Sequence, residues 1–180
     1  MSRLTLETLR DLPAAIAKPA YDPATVSTGV VHFGPGAFHR AHQASYFDTV
    51  LASDPRWGIA AVSLRSGGTV EALARQDGLY TLAILDREPS MRVIGAHRTW
   101  IGPGGGAQVA ALLAKPEVRI VTSTVTEKGY CLAGDVLDRG MEPAAEDLLR
   151  LVCKVASGSE TAAERNDERE IAIWKRGVTL

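Results

Sequence analysis

Thr28-Gly29-Val30-Val31-His32-Phe33 is an apolar, β-branched run that enters Gly34-Pro35-Gly36 and leaves as Ala37-Phe38-His39-Arg40-Ala41-His42. A run without polar alternation fits a strand covered on both faces, as in a parallel sheet. Beyond the turn, Phe38, Ala41, Phe47, Val50 and Leu51 recur at helical spacing through Ser53. The succession of strand, two-glycine turn and helix restricts the chain to an α/β fold that starts on a buried strand. It also brings the N–H groups of a helix start to that strand's carboxyl end, where a phosphate is favoured.

Asp54-Pro55 stops the helix, and Trp57 to Leu64 supplies a second apolar strand, completing a βαβ unit whose crossover is expected to be right-handed. Thr69 to Gln76 reads as a short helix with Thr69 as N-cap and Gly78 at its end. Leu79 to Leu85 and Met91 to Trp100 are β-rich and joined by Asp86-Arg87-Glu88-Pro89-Ser90, which predicts an antiparallel hairpin inserted into the α/β pattern. A glycine cluster, Gly102 to Gly106, precedes an apolar helix ending near Lys115-Pro116, and Val118 to Val125 is the next buried strand. The expected fold is α/β: a Rossmann-type, doubly wound, mostly parallel sheet with an inserted antiparallel hairpin.

Residues 1–25, with Pro13, Pro19 and Pro23, read as an N-terminal arm holding a short helix, and residues 26–140 as the dinucleotide-binding domain. Residues 141–180 form a divergent tail. In it, Glu142 to Ala156 is an amphipathic helix with Ala145, Leu148, Leu149, Val152 and Val155 on one face, followed by a polar stretch, Ser157 to Glu170, and a β-like Ile171 to Trp174.

A length of 180 residues with 46% hydrophobic and 23% charged residues suits one well-buried core. The net charge of −1 supplies no attraction to nucleic acid or an anionic membrane, so neither is expected as a partner and a small molecule is. Cys131 and Cys153 lack the paired spacing of a zinc site and read as ordinary thiols in a reducing compartment. Met1 to Pro13 has no apolar signal core and no later segment is long and apolar enough to span a bilayer, so a cytoplasmic protein is expected.

The glycine turn follows GxGxxG at Gly34 and Gly36 only, with His39 in the third place. Two glycines after a strand also occur in plain turns; the strand-turn-helix context is what favours a dinucleotide. After the second strand, Ser63-Leu64-Arg65-Ser66 offers no acid for the adenosine ribose, while Arg65 admits a 2′-phosphate or is a solvated surface residue. His39 and His42, three apart, make an incomplete ligand set, and no metal is expected. Gly104-Gly105-Gly106 lacks the Lys-Ser/Thr pair of a P-loop and reads as a flexible connection.

Thr122-Ser123-Thr124-Val125-Thr126-Glu127-Lys128-Gly129-Tyr130 falls at the carboxyl end of a central strand, the edge where open α/β sheets bind ligands. Its hydroxyls and Glu127 suit ribose or substrate; equally, Glu127-Lys128-Gly129 suits a surface turn. Lys128 is the one candidate base there, but nothing in the local sequence supplies the burial that would lower its pKa. With no GxSxG elbow present either, no catalytic residue is assigned.

Four blocks, taken in order, resemble the N-terminal domain of the mannitol dehydrogenase family, the long-chain polyol dehydrogenases that include mannitol 2-dehydrogenase and fructuronate reductase. They are Gly34 to Gln43; Trp57-Gly58-Ile59 with Ser63 to Ser66; Gln76-Asp77-Gly78-Leu79-Tyr80-Thr81-Leu82; and Thr124 to Tyr130. The resemblance covers about residues 26–133, and a missing third glycine belongs to the family pattern. It implies NAD(P)-dependent interconversion of a secondary alcohol and a ketone on a polyol or sugar acid, with NAD as cofactor and NADP not excluded. Carried over position by position, Gly34, Gly36, Ala37 and Phe38 hold the pyrophosphate; Arg65 and Ser66 lie near the adenosine ribose; Thr124, Thr126 and Glu127 lie near the nicotinamide half. The family's catalytic lysine and its asparagine and histidine helpers belong to a later helical domain with no matching positions here. The chain is therefore expected to be a truncated nucleotide-binding half, weak or inactive alone, that meets its polyol only if a catalytic domain is supplied.

A shorter likeness, Asn166 to Val178, is to ornithine cyclodeaminase-like proteins, another NAD-binding family, and fits a rearranged reading frame. The competing reading is a non-catalytic nucleotide-binding or subunit-interaction module that self-associates through an exposed apolar face. A third is a sugar-phosphate or other small-ligand binder that keeps only the fold.

Overall fold

The computed structural model describes residues 3–124 together with the strand segments Leu132–Ala133 and Val136–Leu137. The chain divides into two compact units, Met1–Thr126 and Glu127–Leu180. Along the first unit run β1 (Ile16–Ala17), β2 (Thr28–Phe33), α1 (Ala37–Ala41), α2 (Gln43–Val50), β3 (Gly58–Val62) and α3 (Gly68–Ala74). They are followed by β4 (Tyr80–Ile84), β5 (Ser90–Ile94), β6 (His97–Ile101), α4 (Gly106–Leu113) and β7 (Ile120–Ser123).

Four strands form a parallel sheet in the order β6-β3-β2-β7. β3 is buried at every position and β2 at all but Thr28, which is why neither shows polar alternation. Val30, Ala44, Leu51, Ile59, Ile94 and Ala96 form one core cluster; Ala61, Val70 and Leu73 form a second. Each large apolar side chain so buried contributes about 1.5–3 kcal/mol. Registers are level at the carboxyl edge, where Phe33 pairs with both Val62 and Ser123. The chain steps outward from β2 to β3 to β6 and then returns to the other flank of β2 as β7, so the order reverses between β2 and β7.

The hairpin predicted from Leu79 onward is present as antiparallel β4 and β5, with Leu82 opposite Arg92, and β1 adds in parallel to the other side of β5. The predicted second hairpin strand, Met91 to Trp100, is in fact two strands in different sheets. It breaks at Gly95-Ala96, where the Gly95 N–H is bonded at 2.8 Å to the buried carboxylate of Asp48, so that β6 can join β3.

Three local expectations are also corrected. The single helix expected through Ser53 is interrupted at His42 (φ −112°, ψ −81°), giving α1 and α2; at the break Gln43 bonds His39 and Thr122. Thr69 lies inside α3, and Gly67 caps it. Strand β7 is half-buried throughout, because among the described residues it has a strand neighbour on one side only. Gly78 does end α3: at φ +77° its N–H reaches the Leu73 carbonyl (2.8 Å), and a Cβ there would stand 1.9 Å from the His97 carbonyl oxygen.

In the second unit, β8 (Leu132–Ala133) pairs antiparallel with β9 (Val136–Leu137). The helix expected from Glu142 to Ala156 and the segments after it lie outside the described residues.

Candidate functional site

The reversal between β2 and β7 opens a crevice at the carboxyl ends of two parallel strands, the position at which sheets of this kind receive ligands. Gly34 follows β2 there, at φ +83°, a conformation costly for any residue with a Cβ. Its N–H donates to the Val62 carbonyl (2.9 Å), and its own carbonyl accepts from Gly36 N–H (2.7 Å). A Cβ on Gly34 would lie 3.2 Å from the Thr124 carbonyl, whereas one on Gly36 would meet nothing nearer than 3.9 Å. Gly34 thus serves the fold, and Gly36 leaves open space above the turn.

Gly34, Gly36, Ala37 and Phe38 are all exposed. The N–H groups of Ala37 and Phe38 open the first turn of α1 and have no carbonyl partner within the helix. Exposed first-turn N–H groups with unoccupied space over Gly36 suit an anionic pyrophosphate. Arg40 braces the turn from below through its Nη1–H donated to the Pro35 carbonyl, and Tyr80 Oη–H donates to the Arg40 carbonyl at 2.6 Å. Arg40 and Tyr80 also line a cleft of about 300 Å³ with Thr69, Leu73, Gln76 and Leu79.

Of the other residues singled out from sequence, Thr124 is brought to Gly34 and is half-buried, its N–H donating to the Phe33 carbonyl at 2.9 Å. Arg65 and Ser66 are exposed in the loop after β3, on the same sheet edge, with Ser66 Oγ 3.5 Å from Ser63 Oγ. Thr126, Glu127 and Lys128 lie outside the described residues. His39 and His42 do not face one site: His39 is 1% exposed and turns inward, while His42 is exposed against Phe38, with ring centroids 4.7 Å apart.

Sequence reasoning missed what lies beneath the turn. His32 of β2, His39 of α1 and His97 of β6 are 2%, 1% and 0% exposed. The rings of His32 and His39 stack with centroids 3.5 Å apart, and His39 Nε2 lies 3.1 Å from His97 Nε2. His39 Nδ1–H donates to Gln43 Oε1 at 2.9 Å, so His39 Nε2 is the acceptor, His97 Nε2 carries the hydrogen, and His97 Nδ1 is left bare. His32 Nδ1 meets Thr122 Oγ1 at 2.8 Å, and His32 Nε2 meets both Thr124 Oγ1 (3.1 Å) and the Gly34 carbonyl (3.2 Å). Burial pushes His32 down to about 4; burial and the neighbouring His32 push His39 down to about 3; burial drives His97 well below the ordinary range. All three are neutral at pH 7. The available signal was a histidine inside an unbroken apolar strand, since a buried polar ring must find partners.

A parallel sheet ordered β6-β3-β2-β7, with a glycine turn at its point of reversal, defines a Rossmann-type domain of the kind found in dehydrogenases. The family model for the mannitol dehydrogenase Rossmann domain matches residues 28–173, beyond the last of the four sequence blocks. The chain belongs to the mannitol dehydrogenase family. It is 40% identical over 136 residues to the polyol:NADP oxidoreductase of Gluconobacter oxydans (strain 621H), covering 71% of this chain and 28% of that one. It is 38% identical over 133 residues to the D-mannonate oxidoreductase of Escherichia coli (strain K12), covering 70% and 27%. The ternary complex of Pseudomonas fluorescens mannitol 2-dehydrogenase with NAD and D-mannitol superposes with a TM-score of 0.76 at 30% identity, covering 87% of this chain and 37% of that one. The chain thus spans less than two fifths of the length of each of these relatives.

Proposed function

We propose that this chain binds NAD, with NADP admitted by Arg65, as the nucleotide-binding part of an oxidoreductase that interconverts a secondary alcohol and a ketone on a polyol or sugar acid. The observation that carries this reading is the coincidence of the Gly34-Pro35-Gly36 turn, whose two glycines are exposed, with the reversal of strand order between β2 and β7. Gly34, Gly36, Ala37 and Phe38 take the pyrophosphate through backbone N–H groups, Arg65 and Ser66 the adenosine ribose, and Thr124 with Thr126 and Glu127 the nicotinamide half. The cofactor, once bound, carries the hydride; this chain's residues bind and orient it. The substrate class rests on the relatives' names, polyol:NADP oxidoreductase and D-mannonate oxidoreductase.

The test is calorimetric titration of the 180-residue chain with NADH and NADPH. Saturable heat that disappears in Gly36→Asp, with folding unchanged, is the expected outcome, because the added carboxylate enters the open space above the turn and repels the pyrophosphate. Folded wild-type protein that gives no heat and no thermal shift with either nucleotide rejects the proposal. A subunit-interaction role draws support from exposed apolar side chains, among them Tyr46 at 70% and Leu85 at 89%. Sedimentation that stays monomeric across concentration removes that role and leaves nucleotide binding untouched.

A further inference from the structure

The imidazole of His32 stands between the two sides of the crevice. On one side it reaches the Gly34 carbonyl (3.2 Å), which also closes the turn by accepting from Gly36; on the other it reaches the Thr124 hydroxyl (3.1 Å). Both partners meet the same nitrogen, Nε2, and its state sets the role of the hydroxyl: Thr124 Oγ1 accepts from Nε2–H or donates to a bare Nε2, whereas the carbonyl is served by Nε2–H alone. A carbonyl oxygen only accepts, so its bond requires Nε2–H. The Thr124 hydroxyl donates inward only when Nε2 is bare.

The far nitrogen accommodates either case. With the hydrogen on Nδ1, His32 donates to Thr122 Oγ1 (2.8 Å), whose own hydrogen goes to Gln43 Oε1 (3.3 Å). With the hydrogen on Nε2, the Thr122 hydroxyl turns and donates to Nδ1. The ring is neutral in both forms, and one proton has moved from Nδ1 to Nε2. Stacking on His39 fixes the plane of the ring, so the choice is made by proton position and not by rotation. In the Nδ1–H form the Thr124 hydrogen is consumed inside the protein. In the Nε2–H form the Gly34 carbonyl is held inward and the Thr124 hydroxyl is free to donate to a ligand in the crevice.

We propose that His32 is a positioning residue for the dinucleotide: in the bound complex it is the Nε2–H tautomer, anchoring the Gly34 carbonyl and releasing the Thr124 hydroxyl to the nucleotide. This rests on the dinucleotide reading above. The chemistry is that of a buried two-way acceptor and donor set into the floor of the site, which a hydrocarbon side chain of similar volume does not reproduce.

The test is made on the full chain labelled with 15N-histidine, with the His32 ring signals assigned by their absence in His32→Gln. At saturating NADH, Nε2 is expected to show the shift of a protonated ring nitrogen and Nδ1 that of a bare one. The reverse pattern in the complex overturns the proposal. In parallel, His32→Gln, which keeps an N–H donor near the Nε2 position, is expected to hold NADH affinity within about threefold, whereas His32→Asn, which serves only the Nδ1 position, loses about tenfold or more. Equal losses in the two variants, or losses that merely track their melting temperatures, reduce His32 to a packing residue and overturn the proposal. Wild-type chain that binds neither NADH nor NADPH overturns the dinucleotide reading itself. Wild-type binding with the wrong tautomer overturns the positioning role alone.

Discussion

Asp48, on α2, is 5% exposed and serves three donors from three parts of the chain. Its Oδ1 accepts from the Gly95 N–H at 2.8 Å and from the Tyr21 hydroxyl, and its Oδ2 from Arg92 Nη2 at 2.8 Å. Burial and the hydrogen bond to Asp48 raise the Tyr21 phenol above its ordinary range, so it remains a donor. Asp48→Ala strands the Gly95 N–H at the junction of two sheets and is expected to cost about 3–5 kcal/mol. Arg92→Ala leaves Asp48 two donors and an open side for water, since the Arg92 side chain is 31% exposed, and should cost about 1–2 kcal/mol. Urea midpoints of the two variants check the order. None of this was legible from sequence: Asp48 sits on an ordinary amphipathic pattern, and its partners are 27, 44 and 47 residues away.

At the scale of the element, the β2-turn-α1 unit separates two uses of glycine. Gly34→Ala meets both a positive φ of +83° and the Thr124 carbonyl at 3.2 Å, so it should destabilise by about 1–3 kcal/mol. Gly36→Ala has an ordinary φ of −67° and no close neighbour, so it should cost less than about 1 kcal/mol. Thermal melts give the first comparison, and NADH titration of Gly36→Ala then isolates the loss of approach space. The element was readable from sequence because strand period, glycine pair and helix period are all local. The break at His42 was not, because Gln43 is engaged by Thr122, 79 residues away.

For the molecule as a whole, three buried neutral histidines make stability depend on acid. His32, His39 and His97 have folded values below the unfolded value near 6.5, so between about pH 6.5 and 4 the unfolded chain binds protons that the folded one refuses. Stability is therefore full above pH 6.5 and falls as the pH is lowered, by up to about 1.4 kcal/mol per pH unit for each histidine. The groups that face them reinforce the sign: Arg40 repels a proton on His39 and His97, and Tyr80, its phenol raised by burial, brings no negative charge. Urea unfolding at pH 7 and pH 5 measures the slope, and His97→Phe should flatten it while costing stability at pH 7. A midpoint unchanged between the two pH values contradicts the neutral cluster.

The amino-acid sequence alone determined the α/β class, the glycine turn between strand and helix, the hairpin and the family blocks. Each of these depends on residues within one element or one connection, where φ freedom and side-chain period act over a few positions. Only the tertiary structure decided that Met91 to Trp100 divides between two sheets, that His39 and His42 face opposite ways, and that His32, His39 and His97 share one buried network. Those outcomes depend on which strands become neighbours, and a buried polar group is satisfied by whatever the sheet order places beside it.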